Sequence, residues 1–175
     1  MTLLTVTIPT LETDRLILRE FRESDLDVIA AFFESTRSHF VGGPKPRAES
    51  WRTMAGALGH WMLRGYGLWV AQDKDTGTPV GGVGFLNPEG WDEPELGWHL
   101  YNGHEGKGLA YEAALTARAY GAQHFGLAAP ISYIDPDNTR SVALAKRLGA
   151  IFEREGSVMG HPCHVYRHPA PEAAT

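Results

Sequence analysis

The stretch Gly103-His104-Glu105-Gly106-Lys107-Gly108-Leu109-Ala110 decides how the chain is read. It follows a segment of strand character, Glu95 to Leu100, and opens an Ala-rich stretch, Leu109 to Phe125, that reads as a helix. Glycines at such a junction let backbone approach a ligand closely and present its N–H groups. The helix that follows adds partial positive charge at its N-terminus. Together these features suit a phosphate or pyrophosphate. The competing reading is a tight strand-to-helix turn with no ligand. Two known phosphate motifs fail on spacing. With Lys107 as its lysine, a P-loop needs Gly at 101 and Ser or Thr at 108, where Tyr101 and Gly108 stand. A dinucleotide fingerprint needs Gly at the place of Tyr111, and the pair Gly82 and Gly84 has Asn87 where its third glycine belongs.

Outward from this loop, hydrophobic periodicity sets the element types. Leu11 to Phe21 reads as an opening strand, with Leu16 and Leu18 alternating against Arg15, Ile17 and Arg19. Arg15 and Arg19 are assigned to a solvated face. Ser24 and Asp27 resemble a capping box before a helix carrying Leu26, Ile29 and Phe33. A second helix shows one apolar stripe of Trp51, Met54, Leu58, Trp61 and Met62, assigned to the core, and ends at Gly65 and Gly67. Gly67 to Gln72 and Val80 to Leu86 form a hairpin across the polar turn Asp73 to Gly77. Ile131 to Ile134 is a short strand. Asn138 caps a helix that ends at Leu148 and Gly149, and Ile151 to Glu155 pairs with His164 to His168. The order is a strand, two helices, three antiparallel strands, then helix, strand, helix and two closing strands.

Composition narrows the function classes. The chain has 175 residues, 43% of them hydrophobic and 21% charged, which suits one globular domain over residues 1–168 with a fraying tail at 169–175. A chain this long buries roughly 70% of its unfolded surface and needs no disulfide or metal staple. No apolar run approaches the roughly 20 residues of a bilayer-spanning helix. Met1 to Leu11 lacks the basic n-region of a signal peptide, and Cys163 is the single cysteine, so a reducing cytosolic setting is expected. The net charge of −5, from 21 acidic and 16 basic residues, disfavours nucleic acid as a partner. His161, Cys163, His164 and His168 do not match zinc spacing, and no metal is expected.

Glu105, Gly108 and Ala110 occupy the places of the acetyl-CoA motif of the GNAT superfamily of N-acetyltransferases: Gln or Arg, two residues, Gly, one residue, then Gly or Ala. Gly106-Lys107-Gly108, Ala110 and Glu112-Ala113 are similar to the branch that acetylates ribosomal-protein N-termini. Leu11 to Arg19 looks like that branch's opening strand, Glu95-Leu96-Gly97-Trp98 like its central strand, and Asn138, Ser141, Leu144, Leu148 and Gly149 like its late helix. The resemblance spans Leu11 to Phe152. Glu105 departs from the motif, and its side chain is given no binding role.

The resemblance implies an α/β (α+β) fold: a mixed, mostly antiparallel sheet of about six to seven strands, flanked by about four helices and splayed at an acetyl-CoA cleft. By it, Trp98, His99 and Leu100 offer backbone groups to the pantetheine. Gly106, Lys107, Gly108, Leu109 and Ala110 offer N–H groups to the pyrophosphate, and Asn138 and Ser141 lie near the pantetheine and thiol. Acetyl transfer to an amine needs a base for the ammonium and support for the leaving sulfur. Glu95 is the candidate base, with Glu93 in reserve, and Ser141 the candidate sulfur partner. The tyrosine that many members carry four residues after Ser141 is replaced by Ala145. The reaction expected is direct transfer from acetyl-CoA to a primary amine, a protein N-terminus first and a small amine (polyamine, aminoglycoside or amino-acid derivative) second. A non-catalytic acyl-CoA-binding domain is the rival. Family members are often homodimers, and that state stays open here.

Overall fold

The computed structural model describes Met1, Leu3 and residues 5–170. Most of the tail expected to fray, residues 171–175, lies outside the described residues. Eight strands form one sheet: β1 Leu11–Glu12, β2 Leu16–Arg19, β3 Leu68–Asp73, β4 Pro79–Leu86, β5 Glu95–Leu100, β6 Ile131–Ile134, β7 Ile151–Val158 and β8 His161–Arg167. Four α-helices accompany it: α1 Leu26–Glu34, α2 Arg47–Arg64, α3 Leu109–His124 and α4 Thr139–Arg147. The sheet order is β1-β2-β3-β4-β5-β6-β8-β7. All pairings are antiparallel except β5 with β6.

The eighth strand arises because the opening strand breaks in two. Thr13 donates from N and Oγ1 to the Leu16 carbonyl, folding residues 13–15 into a turn that returns β2 against β1. A second correction concerns the start of α1. A 3-10 turn, Glu23–Asp25, precedes the helix, and no side chain caps α1: the Asp25 carboxylate accepts from Arg22 N at 2.9 Å and so closes the preceding turn. The closing strands are also longer than expected, because their hairpin turns at Met159 and Gly160. The polar turn between β3 and β4 has the expected form. Gly77 sits at φ +70°, and the Asp73 carboxylate accepts from the N–H groups of Asp75 and Thr76.

Each face of the sheet buries its own core. Leu16, Leu18, Trp69, Val83, Phe85 and Leu96 pack with Leu109, Ala113 and Ala117 of α3. The small side chains of α3 let it lie close to the sheet. At Gly121 an added Cβ would meet the Phe85 ring at 2.3 Å. On the opposite face, Phe32 and Phe33 of α1 and Met54 and Ala57 of α2 cover Val70 and Tyr101. The expected stripe of α2 is only partly core. Met54 and Trp61 are buried, whereas Trp51 is 46% and Met62 50% exposed, because the sheet beneath α2 reaches a narrower arc than the apolar residues span.

The solvated face assigned to Arg19 does not exist. The face is covered by α1, and Arg19, 4% exposed, donates Nη1 and Nη2 to the two Asp25 oxygens at 2.8 Å each. The paired carboxylate raises the Arg19 pKa against the opposing effect of burial. Arg15 is exposed, as expected of it, but is not idle. It donates to Glu112 of α3 and, through Nη1, to the Lys107 carbonyl at 2.9 Å. It thereby braces the glycine loop from behind.

Candidate active site

The site grows from the one place where the sheet fails to pair. β5 and β6 share a single register pair, Glu95 with Ile131, and the Ile131 N–H donates to the Pro94 carbonyl. One step further on, the Ser132 hydroxyl, not a backbone N–H, donates to the Leu96 carbonyl at 2.6 Å. Beyond that point no ladder joins the two strands, and a cleft opens. Tyr101 N donates to Val80 O of β4, so by strand alternation His99 turns its peptide groups to β4 as well. Trp98 and Leu100 direct theirs toward the cleft. Of the three consecutive residues expected to offer backbone groups to a pantetheine, Trp98 and Leu100 thus have peptide groups free of the β4 ladder, whereas those of His99 are engaged with it.

At the end of β5 the cleft runs onto the glycine loop. Gly103, Gly106 and Gly108 have φ of +86°, +74° and +78°. Such values favour glycine. A Cβ at Gly106 would meet nothing within 4 Å, so the space above the loop is open. Gly103 N is taken by Glu105 Oε2 at 3.0 Å and His104 N by the Tyr101 carbonyl. The N–H groups of Gly106, Gly108, Leu109 and Ala110 find no partner among the described residues. The Lys107 side chain folds back to the Gly103 carbonyl. A loop with open space, free donors and a helix N-terminus fits a pyrophosphate. On the far wall, Asn138 caps α4 by accepting from Ser141 N at 3.2 Å, which leaves the Ser141 hydroxyl in the first helical turn.

Glu95 stands at the root of the cleft, half-buried. Its Oε2 accepts from Trp91 Nε1 at 2.8 Å and its Oε1 from Tyr133 N at 3.4 Å, where β6 no longer meets β5. Burial pushes its carboxyl up to about 7, against the opposing pull of those two donors. A carboxylate so tuned takes and returns a proton near neutral pH. The reserve candidate is committed elsewhere. Glu93 is paired with Arg167 at 2.6 Å and with Arg154, and those partners hold its pKa below the ordinary value. His99 lies two residues from Gly97 on the Glu95 face, and a Cβ on Gly97 would meet only Leu86 at 3.9 Å. The His99 ring stacks on Phe32 at 5.2 Å, and burial, then the charge of Lys45, depresses its pKa to about 4. It is a neutral imidazole at pH 7.

The other residues singled out in sequence go to structure. Cys163 is buried, and burial raises its thiol pKa. His168 is buried, and a donor chain runs through it. Arg118 approaches its Nδ1 at 3.4 Å, and its Nε2 lies 2.9 Å from the Ser132 hydroxyl that closes the root of the cleft. Among the described residues no group of three His, Cys, Asp or Glu side chains is placed to hold a metal ion. Sequence reading missed Trp91, Tyr133 and Ser132, and weighed His168 only as a metal ligand, because none lies in a spacing pattern with the residue it orients.

A half-buried carboxylate at the start of β5, a strand edge left unpaired beyond Leu96 and a donor-rich glycine loop after the strand's end thus follow one another along the chain from Glu95 to Ala110. The profile of the family described as Acetyltransferase (GNAT) domain matches residues 15–151. The chain belongs to the GNAT acetyltransferase family. An acetyltransferase from Agrobacterium tumefaciens shares the architecture at a TM-score of 0.86 and 34% identity, over 96% of this chain and 98% of that one. The Bacillus subtilis protein YkkB is 32% identical over 107 residues, 59% of this chain and 62% of YkkB. The [Ribosomal protein uS5]-alanine N-acetyltransferase of Escherichia coli is 29% identical over 159 residues, 83% of this chain and 79% of its own length.

Proposed function

We propose that this GNAT acetyltransferase transfers the acetyl group of acetyl-CoA directly to a primary amine, with Glu95 as the base. The observation that carries the reading is the unpaired edge of β5, which leads from Glu95, past the outward-facing peptide groups of Trp98 and Leu100, toward the glycine loop and its free N–H groups. The loop residues 106–110 would hold the pyrophosphate, and Asn138 and Ser141 would flank the thioester end.

Glu95, directly or through water, takes a proton from the acceptor ammonium, and the freed amine attacks the thioester carbonyl. The C–N bond forms and the C–S bond breaks, and the second proton, shed by the attacking nitrogen as the amide forms, passes through water to the departing sulfur, so that CoA leaves as the thiol. The Ser141 hydroxyl donates to that sulfur as charge develops on it. Ala145, with no polar atom, offers no acid there. Cys163 is buried with a raised pKa, so a covalent acetyl-cysteine is not invoked.

A protein N-terminus is the acceptor of first choice, supported by the matching motifs at Gly106 to Ala113 and by the similarity to the uS5-alanine enzyme. The reading takes residues 1–168 as one catalytic domain acting in the cytosol, where the lone Cys163 stays a thiol. Isothermal titration of the purified protein with acetyl-CoA, CoA as comparison, tests the first half. Saturable binding followed by acetylation of N-terminal peptides supports the proposal. Binding with turnover only on polyamines, aminoglycosides or amino-acid derivatives moves the acceptor class. Binding with no turnover on any amine leaves an acyl-CoA-binding domain.

A further inference from the structure

The glycine loop carries a carboxylate, which is adverse beside a phosphate unless it is neutralised. Glu105 is neutralised from outside the loop. One oxygen accepts from Gly103 N at 3.0 Å, and Oε1 forms an ion pair with Arg37. Arg37 belongs to the 3-10 segment Thr36–Val41, which connects α1 to α2 and is remote from the loop in sequence. A third segment meets the pair. Arg140, in the first turn of α4, is close enough for its charge, after burial, to lower the Arg37 pKa. The α1–α2 connection, the glycine loop and the start of α4 thus converge. Their balance is two guanidinium groups against one carboxylate, beside backbone N–H groups that lack partners. Arg37 and Glu105 are each about 30% exposed in their side chains, so the pair is open to solvent and not sealed in the core.

We infer that Arg37 is a cofactor-binding residue held in place by Glu105, supplying from the α1–α2 connection the cation that the loop itself lacks toward the acetyl-CoA pyrophosphate. Glu105 is then a positioning residue. Its Gly103 contact fixes the carboxylate, the carboxylate fixes the guanidinium, and the remaining donors of Arg37 are left for phosphate oxygens. The planar fork keeps donors for phosphate while it pairs with a carboxylate, which a lysine in its place does less well.

This inference rests on the acetyltransferase reading, and its test separates the two. Binding of acetyl-CoA and of acetylpantetheine, which has no phosphates, is titrated with wild type, R37A, R37K, E105Q and the double variant R37A/E105R, each shown to be folded by circular dichroism. R37A is expected to weaken acetyl-CoA binding at least tenfold and to leave acetylpantetheine binding unchanged. R37K recovers part of the loss. E105Q weakens acetyl-CoA binding several-fold, and R37A/E105R, with the cation moved onto the loop, recovers most of it. Equal acetyl-CoA affinity in wild type and R37A overturns the inference, as does an equal loss for both ligands, which would mark Arg37 as merely structural. Failure of wild type to bind acetyl-CoA at all instead overturns the acetyltransferase reading beneath it.

Discussion

Replacing Glu95 by Gln removes one ionisable proton and keeps an oxygen for Trp91 Nε1, giving up only the longer contact from Tyr133 N at 3.4 Å. Two effects of opposite sign follow. The base is lost, and general-base catalysis contributes typically 10²–10⁴-fold, so turnover at pH 8 falls by about that factor while acetyl-CoA affinity stays near wild type. Stability moves the other way. The Glu95 carboxyl is raised from 4.5 to about 7 in the folded protein. Between those values the folded chain binds more protons than the unfolded one, so raising the pH destabilises wild type. Integrated from pH 5 to pH 8, the linkage amounts to about 2.5 kcal/mol, and the partial exposure of the side chain trims it to about 2 kcal/mol. E95Q does not titrate. Its stability relative to wild type should therefore improve by about 2 kcal/mol on going from pH 5 to pH 8. Urea unfolding of both proteins at the two pH values measures this. The wild-type rate should rise with pH through an inflection near 7, set by Glu95, and that limb should be absent in E95Q. Turnover of E95Q within threefold of wild type, or a relative stability that does not change with pH, refutes the assignment.

Arg19→Ala should cost about 3–5 kcal/mol in chemical denaturation, because it strands the buried Asp25 carboxylate, and Asp25→Ala should be comparably damaging. Gly121→Ala forces a methyl toward the Phe85 ring and should cost about 1–3 kcal/mol through overpacking, read as a lower melting temperature. Gly108→Val places a branched side chain at φ +78° and should abolish detectable acetyl-CoA binding before it abolishes folding; normal binding would show that the loop is only a turn. Ser141→Ala should lower kcat about tenfold with little change in acetyl-CoA affinity, as expected for a hydrogen bond made to the leaving sulfur.

Much of the fold was legible from the chain alone. Periodicity marks the helices around Leu26 and Met54 and the strands that flank the polar turn at Asp73 to Gly77, and alanine-rich composition marks the helix around Ala113. Asn138 and Gly149 bound α4 as their residue types require. These signals are local: a cap, a positive φ or an apolar stripe is encoded within a few residues. The glycine loop was legible for the same reason, since its donors belong to consecutive peptide groups and a helix start.

Tertiary structure decided what consecutive residues do not encode. Alternation placed Arg19 on one face of β2, but only the packing of α1 made that face dry and brought Asp25 to meet it. The same alternation put Glu95 on a strand, yet its base strength comes from burial against Trp91 and the first residues of β6. Arg15 reads as one more surface cation until Glu112, 97 residues away, fixes it behind the loop. Arg37 has no sequence signal at all. Its pairing with Glu105 exists because the α1–α2 connection and the end of β5 meet in space, and a charge acquires its chemistry from neighbours within a few ångströms, not from neighbours along the chain.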